Sequence, residues 1–192
     1  MSSQPWVHVV FGAPSWPTLP ELLHRGFPGS GLRTMLDGRG AHDLDEFYSG
    51  VEESVPLVEG VGHNLDALLD LFRTFGWGPH AGGEHVFVWY QPEVMLRSAT
   101  ADFRNVVDVI VGGAKELLVG EETNPDFDPT DANDWVPTRL DIVFACEREE
   151  EAQRVAKIAK TLSHFWEEDF HELDVCVEVG PYGRARFRRQ LS

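Results

Sequence analysis

Gly62-His-Asn-Leu-Asp-Ala-Leu-Leu-Asp70 carries two patterns at once, one for the fold and one for the surface. Leu65, Leu68 and Phe72 fall at spacings 0, +3 and +7, so they share one face of a helix. Asn64 stands just before them, where a side-chain oxygen caps the first free backbone N–H groups. Asp66, Leu69 and Asp70 fall at 0, +3 and +4 and share an adjacent face. Asp66 lies in the first turn, at the positive end of the helix dipole. Asp70 lies one turn on, where like-charge repulsion costs roughly a few tenths of a kcal/mol and nothing local offsets it. The stretch before the helix, Val55 to Gly62, contains Pro56 and Gly60 and is expected to be an irregular loop. Gly76, Gly78, Pro79, Gly82 and Gly83 terminate the helical region.

Outward from this segment, strand and helix patterns alternate. Leu32-Arg-Thr-Met-Leu36, closed by Asp37-Gly38, reads as a short strand. Leu44, Phe47, Tyr48 and Val51 make an amphipathic helix with Asp43 at its start. His85-Val-Phe-Val-Trp-Tyr90 and Leu140-Asp-Ile-Val-Phe-Ala-Cys146 are dense in β-branched and aromatic residues and read as buried strands. Between them, Phe103 to Leu118 reads as a helix weakened at Gly112-Gly113 by about 1 kcal/mol per glycine. Gly120 to Asp134 reads as an acidic loop. A long helix from Glu149 to about Asp169, a strand from Leu173 to Val179, a turn at Gly180-Pro-Tyr-Gly183 and a last strand from Arg184 follow. Residues 1–31 are rich in Pro and Gly, with one alternating run, Trp6 to Phe11, that makes a further strand. Strands alternating with helices predict an α/β fold with a mostly parallel sheet.

The chain has 192 residues, enough for one well-packed domain with extensions. Thirty-two acids against sixteen bases give a net charge of −16, which disfavours nucleic acid and anionic membrane surfaces and favours a basic protein as partner. The acids are zoned. Nine lie between Asp37 and Asp70 against one base, Arg39, and seven lie between Glu116 and Asp134 with no base at all. Four of the thirteen arginines sit together at Arg184, Arg186, Arg188 and Arg189. The longest apolar run, Val106 to Val111, is broken by Asp108 and is far short of a bilayer span. Met1 to Trp6 lacks the basic start and apolar core of a signal peptide, and Cys146 and Cys176 make no disulfide framework. A cytoplasmic location is expected.

The Gly62–Asp70 run resembles the Gly-x-Asn-Leu-Asp-Ala-Leu-x-Asp segment of the barstar family of ribonuclease inhibitors. The order of the surrounding elements agrees over residues 32–146, from the strand ending Leu36-Asp-Gly38 to the Leu140 strand. The resemblance implies a barstar-like domain at 32–146, a small parallel sheet packed by helices, flanked by an N-terminal extension (1–31). A helix–strand extension at 147–192 is expected to pack on the same sheet, by a right-handed crossover. It also implies that the helix and the loop before it plug the active site of a basic ribonuclease. Asp66 and Asp70 then match the family's two interface carboxylates, Asp70 the dominant one, with Gly60, Val61, Gly62, His63 and Asn64 as the plugging loop. Glu116 matches an acid on a later helix. Two departures stand out: Gly60 falls where the family stacks an aromatic, and Leu69 replaces a Trp between the carboxylates. Phe75 or Trp77 is the expected substitute anchor. An immunity protein against a toxin nuclease is a natural role, acting as a monomer, without enzymatic activity, cofactor or metal.

Other chemistries find little in the chain. No Gly-x-Ser-x-Gly elbow is present, and Gly26-Phe-Pro-Gly-Ser-Gly31 lacks the Lys of a phosphate loop. Cys146 and Cys176 lie in apolar strands, where thiols are inert. His63 with Asp66 and Asp70, and His164, Glu167, Glu168 and His171, have helical spacing but no metal signature. The alternating Arg184, Arg186 and Arg188 suit the guarding of a sheet edge better than contact with RNA. The alternative to an inhibitor is an acidic module that binds some other basic protein.

Overall fold

The structure, a computed structural model, describes residues 6–13, 15, 16, 19, 31–55, 62–76, 81–119, 137–162 and 177–182. Among the described residues, five strands form one all-parallel sheet: β1 (Val7–Phe11), β2 (Arg33–Asp37), β3 (Glu84–Tyr90), β4 (Arg139–Cys146) and β5 (Val177–Pro181), in the order β2-β3-β4-β1-β5. The helices are α1 (Leu44–Ser54), α2 (Leu65–Arg73), α3 (Glu93–Ser98), α4 (Thr100–Val119) and α5 (Glu149–Leu162). The fold is the expected α/β class.

The strand order explains where the helices lie. The path β2→β3→β4→β5 always steps in one direction, so right-handed crossovers put α1 to α5 on one face. That face holds the main core: Val7, Val9, Phe87, Trp89, Ile142 and Phe144 from the sheet meet Phe47, Phe72, Phe103, Ile110 and Val155 from the helices. The step from β1 back to β2 runs the other way, which sends its connection to the opposite face. There Leu19 and Trp16 pack on Val10, Val86, Val88 and Val143.

Two features of the arrangement lie beyond the sequence reading. The strand β5 joins the sheet beside the N-terminal strand β1, which lies between it and β4, with Val7 opposite Ile142 on one side and Val177 on the other. Local pattern reveals a strand but carries no information on which distant strand it will pair with. A polar clamp marks the insertion. His8 Nε2 lies 3.2 Å from Asp141 Oδ1 and His8 Nδ1 lies 3.5 Å from Glu178, while Arg139 also donates to Asp141. The second feature is α3, a six-residue helix between β3 and α4 that the sequence pattern did not announce. Residues 173–176 and 183–192, including Cys176 and the clustered arginines, the expected end of the long helix at 163–169 and the expected loop from Gly120 to Asp134 lie outside the described residues.

The Gly112-Gly113 pair does not break α4, which runs unbroken for 20 residues. A Cβ at Gly113 would come within 3.2 Å of both Leu69 Cδ1 and Phe72 Cβ. The glycine lets α2 approach α4 closely, and that contact fixes where α2 stands.

Candidate functional site

Helix α2 is held by its N-cap and by its buried side. Asn64 adopts an extended backbone, φ −151° and ψ 164°, and its Oδ1 accepts from Ala67 N at 2.8 Å, so the cap forms as the sequence predicts. Leu68, Leu71 and Phe72 are buried against the core. Phe72 packs edge-on to Phe87, with ring centroids 5.1 Å apart. A helix anchored along one side in this way presents its other side with little freedom.

That other side is acidic. Asp66 and Asp70 are both exposed, the Asp70 side chain by 72%. Gly62, His63 and Asn64 are exposed beside them and continue the face from the helix start. His63 is oriented from α1: its ring stacks on Tyr48 at 5.3 Å and 21°, and its Nε2 lies 3.5 Å from Glu52. The buried Tyr48 phenol is pushed up to about 12, by desolvation first and then by the fields of Asp102 and Asp66.

Arg73 is the residue that sequence reasoning missed. Its Nη1 donates to Asp70 at 3.1 Å, and its Nε donates to Glu116 Oε2 on α4 at 2.9 Å. Asp70 therefore has a local cation, contrary to expectation. The signal was present in the sequence as the i,i+3 spacing of Asp70 and Arg73. Burial lowers the Arg73 guanidinium, but its hydrogen bonds to Glu116 and Asp70 outweigh this and raise it overall.

The remaining expected site residues divide. Glu116 is buried at 7% side-chain exposure and is committed to Arg73, so it shapes the face through Arg73 and does not present a carboxylate itself. Leu69 is partly buried and leans on the core beside Gly113. Phe75 is 1% exposed, packed against Phe72 and His85, because the helical turn Thr74–Gly76 folds it inward. It is core and does not serve as a surface anchor. Gly60, Val61 and Trp77 lie outside the described residues.

The arrangement offers charge and shape, with no activated nucleophile in the face. Cys146 is buried, and desolvation drives its thiol well above the ordinary range. Among the described residues, no group of three His, Cys, Asp or Glu side chains could hold a metal ion. No described helix is long and apolar enough to cross a membrane. What the face can do is pair carboxylates on a rigid helix with guanidinium or ammonium groups of a partner.

Residues 33–127 match the family described as Barstar (barnase inhibitor). The match spans β2 to α4 and takes in all of α2; β1, β4, α5 and β5 lie beyond it. No curated protein and no solved structure matches the chain.

Proposed function

The chain belongs to the barstar family through residues 33–127, and on that premise we propose that it inhibits a basic ribonuclease by seating α2 and the preceding loop in the enzyme's active site. Asp66 and Asp70 take the place of RNA phosphates against the enzyme's cations, and Arg73 holds Asp70 in position. The protein is an inhibitor and not an enzyme. It serves as a cytoplasmic immunity protein for a cell that makes the nuclease. The observation that carries this reading is the exposure of both carboxylates on a helix whose opposite side is fully anchored. Had either been buried under neighbouring chain, no active-site plug could form.

The test is inhibition of a small secreted guanyl-preferring ribonuclease by the full chain and by Asp70→Ala, at low and high salt. Losing one partner of a buried interfacial charge pair costs about 2 kcal/mol or more, so inhibition is expected to weaken at least about 30-fold. Salt weakens the parent through slower encounter. Asp70 is exposed, so the same substitution costs the fold under about 1 kcal/mol, and the loss reports binding. Inhibition by Asp70→Ala equal to the parent overturns the plug. No inhibition by the parent moves the partner to a different basic protein.

A further inference from the structure

A groove of about 390 Å³ opens among α3, the first turns of α4 and the outer side of α5, lined by Leu96, Thr100, Arg104, Arg154, Lys157, Ile158 and Thr161. Leu96, which is buried, and Ile158, partly buried, give it an apolar floor. Arg104 rises from α4, and Arg154 and Lys157 from α5 one turn apart; all three are exposed. No acid lines it.

That last fact runs against the rest of the molecule. With two acids for every base, a cation here normally finds a partner. Among the described residues, every Lys and Arg other than Arg104, Lys115, Arg154 and Lys157 is engaged in an ion pair or another contact. Lys115 is buried in α4. The three others converge on this groove. Like charges gathered over an apolar floor repel one another and leave the floor wet, and one kind of occupant relieves both costs. It carries negative charge for the rim and apolar surface for the floor.

We infer that the groove binds a small amphiphilic organic anion, a carboxylate on a short apolar chain. The size fits: about 390 Å³ falls at the small end of the volumes that ligand sites occupy. A bare inorganic anion would leave Leu96 and Ile158 unsatisfied, and the net charge of −16 disfavours a nucleic-acid strand. The site is separate from the acidic face, because α2 and α5 flank α4 on opposite sides in the helical layer.

Titration of the full chain with decanoate, followed by calorimetry and by methyl NMR of Leu96 and Ile158, tests this. Decanol and decyltrimethylammonium are the neutral and cationic arms, and acetate is the arm without an apolar chain. Saturable one-to-one binding of decanoate is expected, with the other three at least about tenfold weaker. The exposed cations can be replaced without unfolding the chain, so Arg104→Gln/Lys157→Gln, checked for an unchanged thermal midpoint, is expected to lose decanoate by about tenfold. Ile158→Glu supplies a second route to the same loss by spoiling the floor. Decanol binding as tightly as decanoate, full affinity in the double variant, or no saturable binding overturns the proposal. So does tighter binding of a leucine-containing hexaglutamate peptide than of decanoate, which would make the groove a protein-docking surface.

Discussion

Gly113→Ala sets two effects of known sign against each other. Inside a helix, Ala is favoured over Gly by about 1 kcal/mol, so sequence reasoning alone predicts a stabilised α4. The structure predicts the opposite. The new methyl would stand 3.2 Å from Leu69 Cδ1 and 3.2 Å from Phe72 Cβ. Leu69 ends in a rotatable isobutyl group and can yield. Phe72 Cβ is fixed to the α2 backbone, and its ring is locked between Phe75 and Phe87. Relief therefore requires α2 itself to move outward by a few tenths of an ångström. Overpacking of this kind costs about 1–3 kcal/mol, which outweighs the propensity gain and leaves a net loss of about 1 kcal/mol. In a domain of this size that is a fall of about 2–4 °C in thermal midpoint. Because α2 carries Asp66 and Asp70, the same variant is expected to inhibit the ribonuclease several-fold more weakly than the parent. Urea denaturation and inhibition assays on one preparation check both effects. A variant about 1 kcal/mol more stable than the parent with unchanged inhibition would refute the argument, since it would mean that α2 is not held against α4 at this point.

Two further outcomes follow from the buried charges. Arg73→Met leaves the Glu116 carboxylate buried without its cation. The expected loss is about 1–3 kcal/mol, kept below the range for fully buried pairs because Arg73 itself is about one-third exposed. Adding Glu116→Gln recovers part of it in urea titrations, and failure to recover any would argue against the pairing. Burial raises the Glu93 carboxyl above its ordinary 4.5, although Glu147 N donates to it. A carboxyl raised in the folded state contributes stability that is complete below about pH 4.5 and lost as pH climbs through the native value. Glu93→Gln remains neutral throughout, so its stability relative to the parent is expected to rise between about pH 4 and pH 7. Unfolding curves at the two ends decide this, and an offset that stays constant with pH would contradict it.

The local half of this molecule could be read from the chain. Caps at Asp43 and Asn64, the stripe in α1 and the apolar strands β3 and β4 each depend on residues within a turn or two, and each formed within a residue or so of expectation. Helix α3 escaped because six residues are too few for a period to register and Pro92 supplies no side-chain cap. At the site, i,i+4 spacing put Asp66 and Asp70 on one face, and the resemblance to the barstar family marked them as the interface pair. Burial of Glu116 and Phe75 was not, because it depends on how α2 and α4 cross. The meaning of Gly112-Gly113 changed for the same reason. In one dimension the pair is a weakness, and in three Gly113 is the clearance that seats the acidic helix.

The position of β1 has a consequence for the order of events at the ribosome. His8 and Asp141 are 133 residues apart, so at about 5–20 residues per second the strand made first waits roughly ten seconds for its neighbour to be translated. Until then Val7, Val9 and Val10 have no sheet to join, although all three end fully enclosed. Closing so long a loop is slow, and it comes after β2, β3 and the intervening helices can have assembled nearby. The nascent chain thus carries an unsatisfied apolar strand until β4 has been made. A chaperone that holds the N-terminus, or a fusion partner that delays it, would act on this step before any other.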